Sequence, residues 1–380
     1  MLLKAIRYCI LFLIMLNFPG WVLVNISDSL SSLLSYLSFG LMLLYFIMSK
    51  KWKFSSWMLL LGTIYFGISS LSGQEYIPEF SIYIIIIIKY FIIVTGGYIV
   101  MQDTTKKELV CFLLIGAFTV FLEMFVFYNV LKDYGRYSGF YLNPNSLGFI
   151  CMMGYALSFG LEKKWRTLGQ ISFSLIGFLT FSRTFIVVWL LMNLLSIRLS
   201  SKNIRVLIVG LGIFIGLLTF NAFLPKSNPR LEAMTKILKG ESTNTKKLEE
   251  GSRTETWSNY YPALMEKPLF GNGYGAYGGG GLAGRIGAHN VYLKIMGEAG
   301  VFTILFFLSM LITLLLKSNR LFQNEPHLLL MTIALGLFLM ANHNFFDSGY
   351  VLFFTMWLLY QIKSKEIKSG NNIPAIGKSI

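Results

Sequence analysis

Three guanidinium groups and one imidazole carry most of the chemistry that this sequence can offer. Arg183 interrupts two apolar runs in Phe181-Ser182-Arg183-Thr184-Phe185, Arg253 and Arg285 lie in a long polar segment, and His289 opens the apolar run that follows it. A permanently charged guanidinium in such a place wants a phosphate or carboxylate partner, unless it merely reaches lipid headgroups. Imidazole is the side chain that exchanges protons near neutral pH without a shifted pKa. His343, in Asn342-His343-Asn344, stands near the end of another apolar run and could reach the same place. His327 opens an apolar run and reads as structural.

Polar groups around these residues extend the candidate site. Asn143-Pro144-Asn145 starts a helix, with Pro144 suited to its first turn and Asn143 to its cap, whereas Asn145 has no local need to be polar. The run Gly271-Asn272-Gly273-Tyr274-Gly275-Ala276-Tyr277-Gly278 contains a formal G-x-G-x-x-G spacing. No strand precedes it, so a dinucleotide site is excluded. Its glycines are expected to bring backbone amides close to a sugar or phosphate, with Asn272, Tyr274, Arg285 and Asn290 as further substrate-binding residues. Cys9, Cys111 and Cys151 lack metal or redox spacing, so no metal and no cofactor is expected. Four ionisable groups, Lys89, Glu123, Lys294 and Glu298, fall within apolar runs, where each is costly. Lys89 lies close enough to an end to snorkel, Glu123 invites a buried cation, and Lys294 and Glu298 are spaced as a helical pair.

What must position these residues is a membrane bundle. The chain has 380 residues, 55% of them apolar and 13% charged, about half the ~25% charge of a soluble domain. Spans need about 20 apolar residues. Candidates fall at 8–25, 29–48, 56–72, 82–101, 109–131, 145–161, 168–182, 184–198, 206–224, 289–316, 328–345 and 350–362. The expected fold is therefore all-α: a polytopic transmembrane bundle of about 12 spans, with one large outer loop containing short amphipathic helices. With the N-terminus inside, inner segments hold 19 Lys and Arg, whereas the short outer connections hold 3, namely Lys132, Arg136 and Arg183. That asymmetry places both termini in the cytoplasm. The net charge of +15 reflects this orientation, and nucleic acid is excluded because the cations form no stripe.

The expected organisation has three parts: a membrane bundle of about 9 spans at 1–224, an extracytoplasmic catalytic loop at 225–288, and about 3 spans with a cytoplasmic tail at 289–380. Within the loop, 252–266 reads as an amphipathic helix with Trp257, Tyr260, Tyr261 and Leu264 on one side. Arg183, Asn145, Arg253, the glycine run, His289 and His343 come from separate parts of the chain, yet this topology puts all of them on the outer face. A transporter would instead line a path near midplane.

In Asn143-Pro144-Asn145, Ser182-Arg183-Thr184, Arg253-x-x-x-Trp257, Pro268-Leu269-Phe270-Gly271-Asn272-Gly273-Tyr274-Gly275 and His289-Asn290-x-Tyr292-Leu293 followed by Glu298-x-Gly300, the chain resembles the bacterial O-antigen ligase and polysaccharide polymerase superfamily. The resemblance covers about 140–300. It implies a metal-independent, inverting glycosyltransferase of the bacterial inner membrane, with its active site outside the cytoplasm. It further implies an undecaprenyl-diphosphate-linked glycan as donor and another as acceptor, together with membrane lipids, a flippase and a chain-length regulator as partners. Arg183 and Arg253 would bind the diphosphate and stabilise the leaving group, and His289 would assist the acceptor hydroxyl. A repeat-unit polymerase for O-antigen or capsule is the leading expectation. A ligase to lipid A core and a lipid-linked glycan flippase are the alternatives.

Overall fold

The computed structural model describes residues 1–72, 75–76, 79–126, 136–220, 253–282 and 287–370. Among these the chain is helical and contains no strand. Helices α1 (Leu2–Met15), α2 (Phe18–Asn25), α3 (Asp28–Ser49) and α4 (Ser56–Leu71) come first. Next come α5 (Phe80–Ile92), a π-helical turn at Ile93–Gly97, α6 (Tyr98–Asp103) and α7 (Lys106–Phe125). Then follow α8 (Pro144–Ser158), α9 (Lys163–Leu179), α10 (Arg183–Ile197) and α11 (Ile204–Phe220). Two short helices, α12 (Arg253–Ser258) and α13 (Tyr261–Glu266), precede α14 (Val291–Arg320), α15 (Pro326–Leu339) and α16 (Gly349–Gly370).

Each expected apolar segment carries a helix, but the helices differ in reach. Among the described residues four helical stretches are long and apolar enough to cross a membrane: Asp28–Ser49, Phe80–Asp103, Lys106–Phe125 and Val291–Arg320. The pair α1 and α2, bent by 52°, makes a fifth if it is one span. This is a multi-pass membrane protein. The expectation of about 12 spans exceeds what helix length alone carries, because α8 has 15 residues and α15 has 14. At ~1.5 Å per residue such helices fall short of the ~30 Å hydrocarbon layer. Their setting explains the brevity. α8 is buried along nearly its whole length and packs on α7, α9, α10 and α15, so it is surrounded by protein.

Local chemistry starts and breaks these helices. Thr105 and Glu108 form a reciprocal capping box at α7, and Ser27 caps α3 by accepting from the Leu30 amide at 3.1 Å. The π turn brings Gly96 against α3, where a Cβ would lie 2.7 Å from the Met42 carbonyl oxygen. The expected amphipathic helix at 252–266 is two helices, because Pro262 sits in the first turn of α13 and cannot continue α12. Tyr260 and Leu264 are buried and Trp257 half-buried, but Tyr261 is exposed.

The two ends of the bundle are built differently. At one end, Arg7 pairs with Glu108 at 2.6 Å, Lys106 with Glu325 at 3.2 Å, Lys107 with Glu162 at 2.9 Å and Lys317 with Glu366 at 2.7 Å. Lys51–Asp103 and Lys365–Glu325 add to this belt, which ties α1, α6, α7, α14 and α16 to the residues just after α3 and just before α9 and α15. The opposite end opens into a cavity.

Candidate functional site

Three helices begin at this cavity by the same local device: a residue with left-handed backbone, then a polar N-cap. Leu142 (φ 60°) precedes Asn143, whose Oδ1 accepts from the Asn145 amide at 2.8 Å to start α8. Phe181 (φ 48°) precedes Ser182, whose Oγ accepts from the Phe185 amide at 3.3 Å to start α10. His289 (φ 46°) precedes Asn290, whose Oδ1 accepts from the Tyr292 and Leu293 amides at 2.9 and 3.3 Å to start α14. Five described non-glycine residues have positive φ, and four of them, Asn17, Leu142, Phe181 and His289, line this one cavity. Such a conformation costs about 1–3 kcal/mol each for most residues and concentrates at functional sites.

The cavity has a volume of about 1020 Å³ and is walled by the α1–α2 bend, α3, α12, the starts of α8 and α10, His289 and the α15–α16 connection. Arg183, Asn145, His289 and His343 all line it. Asn145 links two helix starts, its Oδ1 accepting from Arg136 Nη2 at 3.0 Å and Ser182 Oγ at 2.9 Å. Arg136 Nε also donates to the Thr180 carbonyl at 3.1 Å, fastening the turn that precedes Arg183. The Nδ1 atoms of His289 and His343 lie 3.1 Å apart. Trp257 Nε1 donates to the Ala288 carbonyl at 3.0 Å, which holds α12 beside His289. Arg253 begins α12, whose Thr256 and Trp257 line the cavity; the Arg253 side chain and Arg285 lie outside the described residues.

Three further expected residues face elsewhere. Asn290 caps α14. Asn272 is buried, its amide donating to the Ala263 carbonyl at 3.0 Å. Tyr274 packs in an aromatic cluster with Tyr83 at 4.9 Å and Tyr65 at 6.3 Å, and it is not among the residues lining the cavity. The first half of the glycine run serves its own protein, which corrects the expectation of amides offered to a ligand. The Gly275 and Tyr277 amides donate to Glu298 Oε1 at 3.1 and 3.2 Å, and Tyr65 donates its hydroxyl proton to Glu298 Oε2. α14 kinks beside this contact at Gly300 (φ 74°), where a Cβ would lie 1.9 Å from the Leu269 carbonyl oxygen. The second half of the segment approaches the cavity, since a Cβ on Gly287 would sit 3.4 Å from His343 Nε2.

The ionisable residues inside the spans also find partners. Lys294 and Glu298 attract each other as the helical spacing predicts, and Lys294 also pairs with Asp347 at 3.7 Å and stands over the Tyr274 ring. Glu123 accepts from the Ser138 and Gly139 amides at 2.8 and 2.6 Å. Lys89 stands over the rings of Tyr36 and Phe39.

Two lining residues escaped the sequence reading. Arg136 was legible only as one of three cations in outer connections. Asp347, four residues after His343, is the carboxylate among the described lining residues. Its signal was the polar cluster Asn342, His343, Asn344 and Asp347 between two apolar runs. His343 lies in that connection. Burial, the Lys294 charge and His289 lower its pKa to about 4, so the ring is neutral at neutral pH.

Residues 168–308 match the family model described as O-antigen ligase. The matched stretch runs from α9 into α14 and contains Arg183, Arg253, the glycine run and His289. It supports the O-antigen ligase and polymerase superfamily, a class of glycosyltransferase-like membrane enzymes. No curated protein matches the chain.

Proposed function

We propose that this protein polymerises undecaprenyl-diphosphate-linked oligosaccharide repeat units into O-antigen or capsular polysaccharide. One observation carries the reading: guanidinium groups, a histidine pair and the starts of α8 and α10 share a cavity at one end of a membrane bundle. Helix N-termini present positive dipole ends, which suit a diphosphate. Arg183, with Arg253 from α12, binds the diphosphate and neutralises charge as it leaves. The acceptor hydroxyl attacks the anomeric carbon, the bond to the diphosphate oxygen breaks with its electron pair going to the diphosphate, and His289 takes the hydroxyl proton. Direct displacement inverts the anomeric centre. In the same reading the bundle has about 12 spans, both termini are cytoplasmic and the cavity faces outward from the inner membrane. The 225–288 segment forms the catalytic loop between the 1–224 bundle and the 289–380 helices. A flippase supplies the substrate and a chain-length regulator acts on the product.

The family description favours a second reading, a ligase that transfers glycan to lipid A core or another acceptor. Purified protein given a synthetic lipid-linked repeat unit separates the readings. A polymerase lengthens the lipid-linked glycan, a ligase needs the separate acceptor, and a flippase moves labelled glycan across vesicles without lengthening it. Arg183→Ala, Arg253→Ala and His289→Ala each lower elongation by at least about 10²-fold if they act as assigned. Normal elongation by all three variants overturns the assignment.

A further inference from the structure

The contact between the two cavity histidines has a chemical asymmetry. Their Nδ1 atoms face one another at 3.1 Å, with the rings at 71° and their centroids 4.7 Å apart. Only one proton fits between two imidazole nitrogens at that distance, so one ring donates and the other accepts. The rings differ in setting: His289 is exposed to the cavity, whereas His343 is half-buried. The charge of the buried Lys294 ammonium, itself paired with Asp347, reaches His343, and Arg136, Arg183 and Asp347 line the same space. His343 Nε2 is turned toward the Gly287 backbone. An added proton therefore settles on His289, which then carries hydrogen on both nitrogens, and its Nδ1–H must point at His343.

We propose that His343 is a positioning residue for His289: its Nδ1 accepts the His289 Nδ1–H, which selects the tautomer whose Nε2 lone pair faces the acceptor hydroxyl. This rests on the reading of His289 as the base. When Nε2 takes the hydroxyl proton, the charge on His289 is stabilised through Nδ1 by a neutral ring, the place a carboxylate fills in a Ser-His-Asp triad. The left-handed backbone at His289 and the Asn290 cap fix the other side of the ring's approach. The low pKa of His343 fits an acceptor that stays uncharged through the cycle.

The chain has three histidines, so ring nitrogens labelled with ¹⁵N can be assigned with His327→Gln and His343→Ala variants. In the full-length protein in detergent, without substrate, the His289 ring is expected to hold its proton at Nδ1 and to become a tautomer mixture in His343→Ala. In the elongation assay His343→Ala lowers kcat by about 10²-fold with KM nearly unchanged. Its acid limb moves to lower pH, because the protonated His289 has lost its acceptor. His343→Asn, which keeps an accepting oxygen, recovers much of the rate, and His343→Asp moves the acid limb to higher pH. A His289 ring protonated at Nε2 in the intact protein, or one unchanged acid limb across all three His343 variants, overturns the proposal. Full activity in His289→Ala overturns the base assignment instead, and the tautomer measurement distinguishes the two failures.

Discussion

The two ends of the bundle use charge for opposite purposes. At the belt end, Arg7, Lys51, Lys106, Lys107, Lys317 and Lys365 all meet carboxylates of the same chain. At the cavity end, Arg136 and Arg183 share the space with two histidines, helix starts and, among the described lining residues, one carboxylate, Asp347, which pairs with Lys294. Internal neutralisation makes the first end a clasp. The second gathers guanidinium and imidazole groups and left-handed backbone around one cavity, where we propose that an anionic substrate binds. Similar residue types thus clasp one end and line a cavity at the other.

The largest test of this contrast removes the scaffold between loop and helix. Gly300→Ala must place a Cβ within 1.9 Å of the Leu269 carbonyl at φ 74°. Substitution where the native φ is incompatible destabilises by more than about 1 kcal/mol, and the backbone clash adds to it. Folded yield on size exclusion should collapse, and a normal yield would break the claim that the glycine run is anchored on the α14 kink.

Next in size is Arg183→Lys, which keeps the charge and loses the planar fork. Elongation should fall about tenfold or more, because a bidentate hold on the diphosphate needs the fork's geometry. A variant equal to wild type would reduce Arg183 to a generic positive charge.

The smallest effect belongs to the belt. Burial pushes the Glu325 carboxyl up, but the Lys365 hydrogen bond and the Lys106 charge outweigh it and hold the pKa below the ordinary carboxylate value. A carboxyl depressed on folding contributes stability above its unfolded pKa, and this is lost as pH falls through the folded value. Thermal stability should therefore decline below the ordinary carboxylate range, and Glu325→Gln should flatten that decline while leaving elongation at neutral pH intact. Equal acid sensitivity in the variant would remove Glu325 from the clasp.

Much of the architecture was legible from residue order. Apolar runs marked the helices outside 253–266, and Asn143 announced a helix start because capping is local chemistry, whereas Ser182 and Asn290 emerge as caps only in the structure. Arg183, Asn145, His289 and His343 could be assigned to one end by the alternation of spans, and the structure brings these four into one cavity. Tyr274 and Asn272 could not be sorted in the same way. Their neighbours, Tyr83 and the α13 carbonyl of Ala263, come from other elements, and polarity alone does not distinguish a ligand contact from an internal one.

By itself the sequence determined a multi-pass helical chain, where its helices begin, and which residue types could hold an anion and move a proton. These follow from hydrophobicity and capping, which act over a few neighbouring residues. Tertiary structure alone decided that Glu298 would accept from the Gly275 and Tyr277 amides, that Asp347 would join Lys294, and that two histidines 54 positions apart would meet. Such pairings depend on which helix ends meet, and packing at a distance sets that.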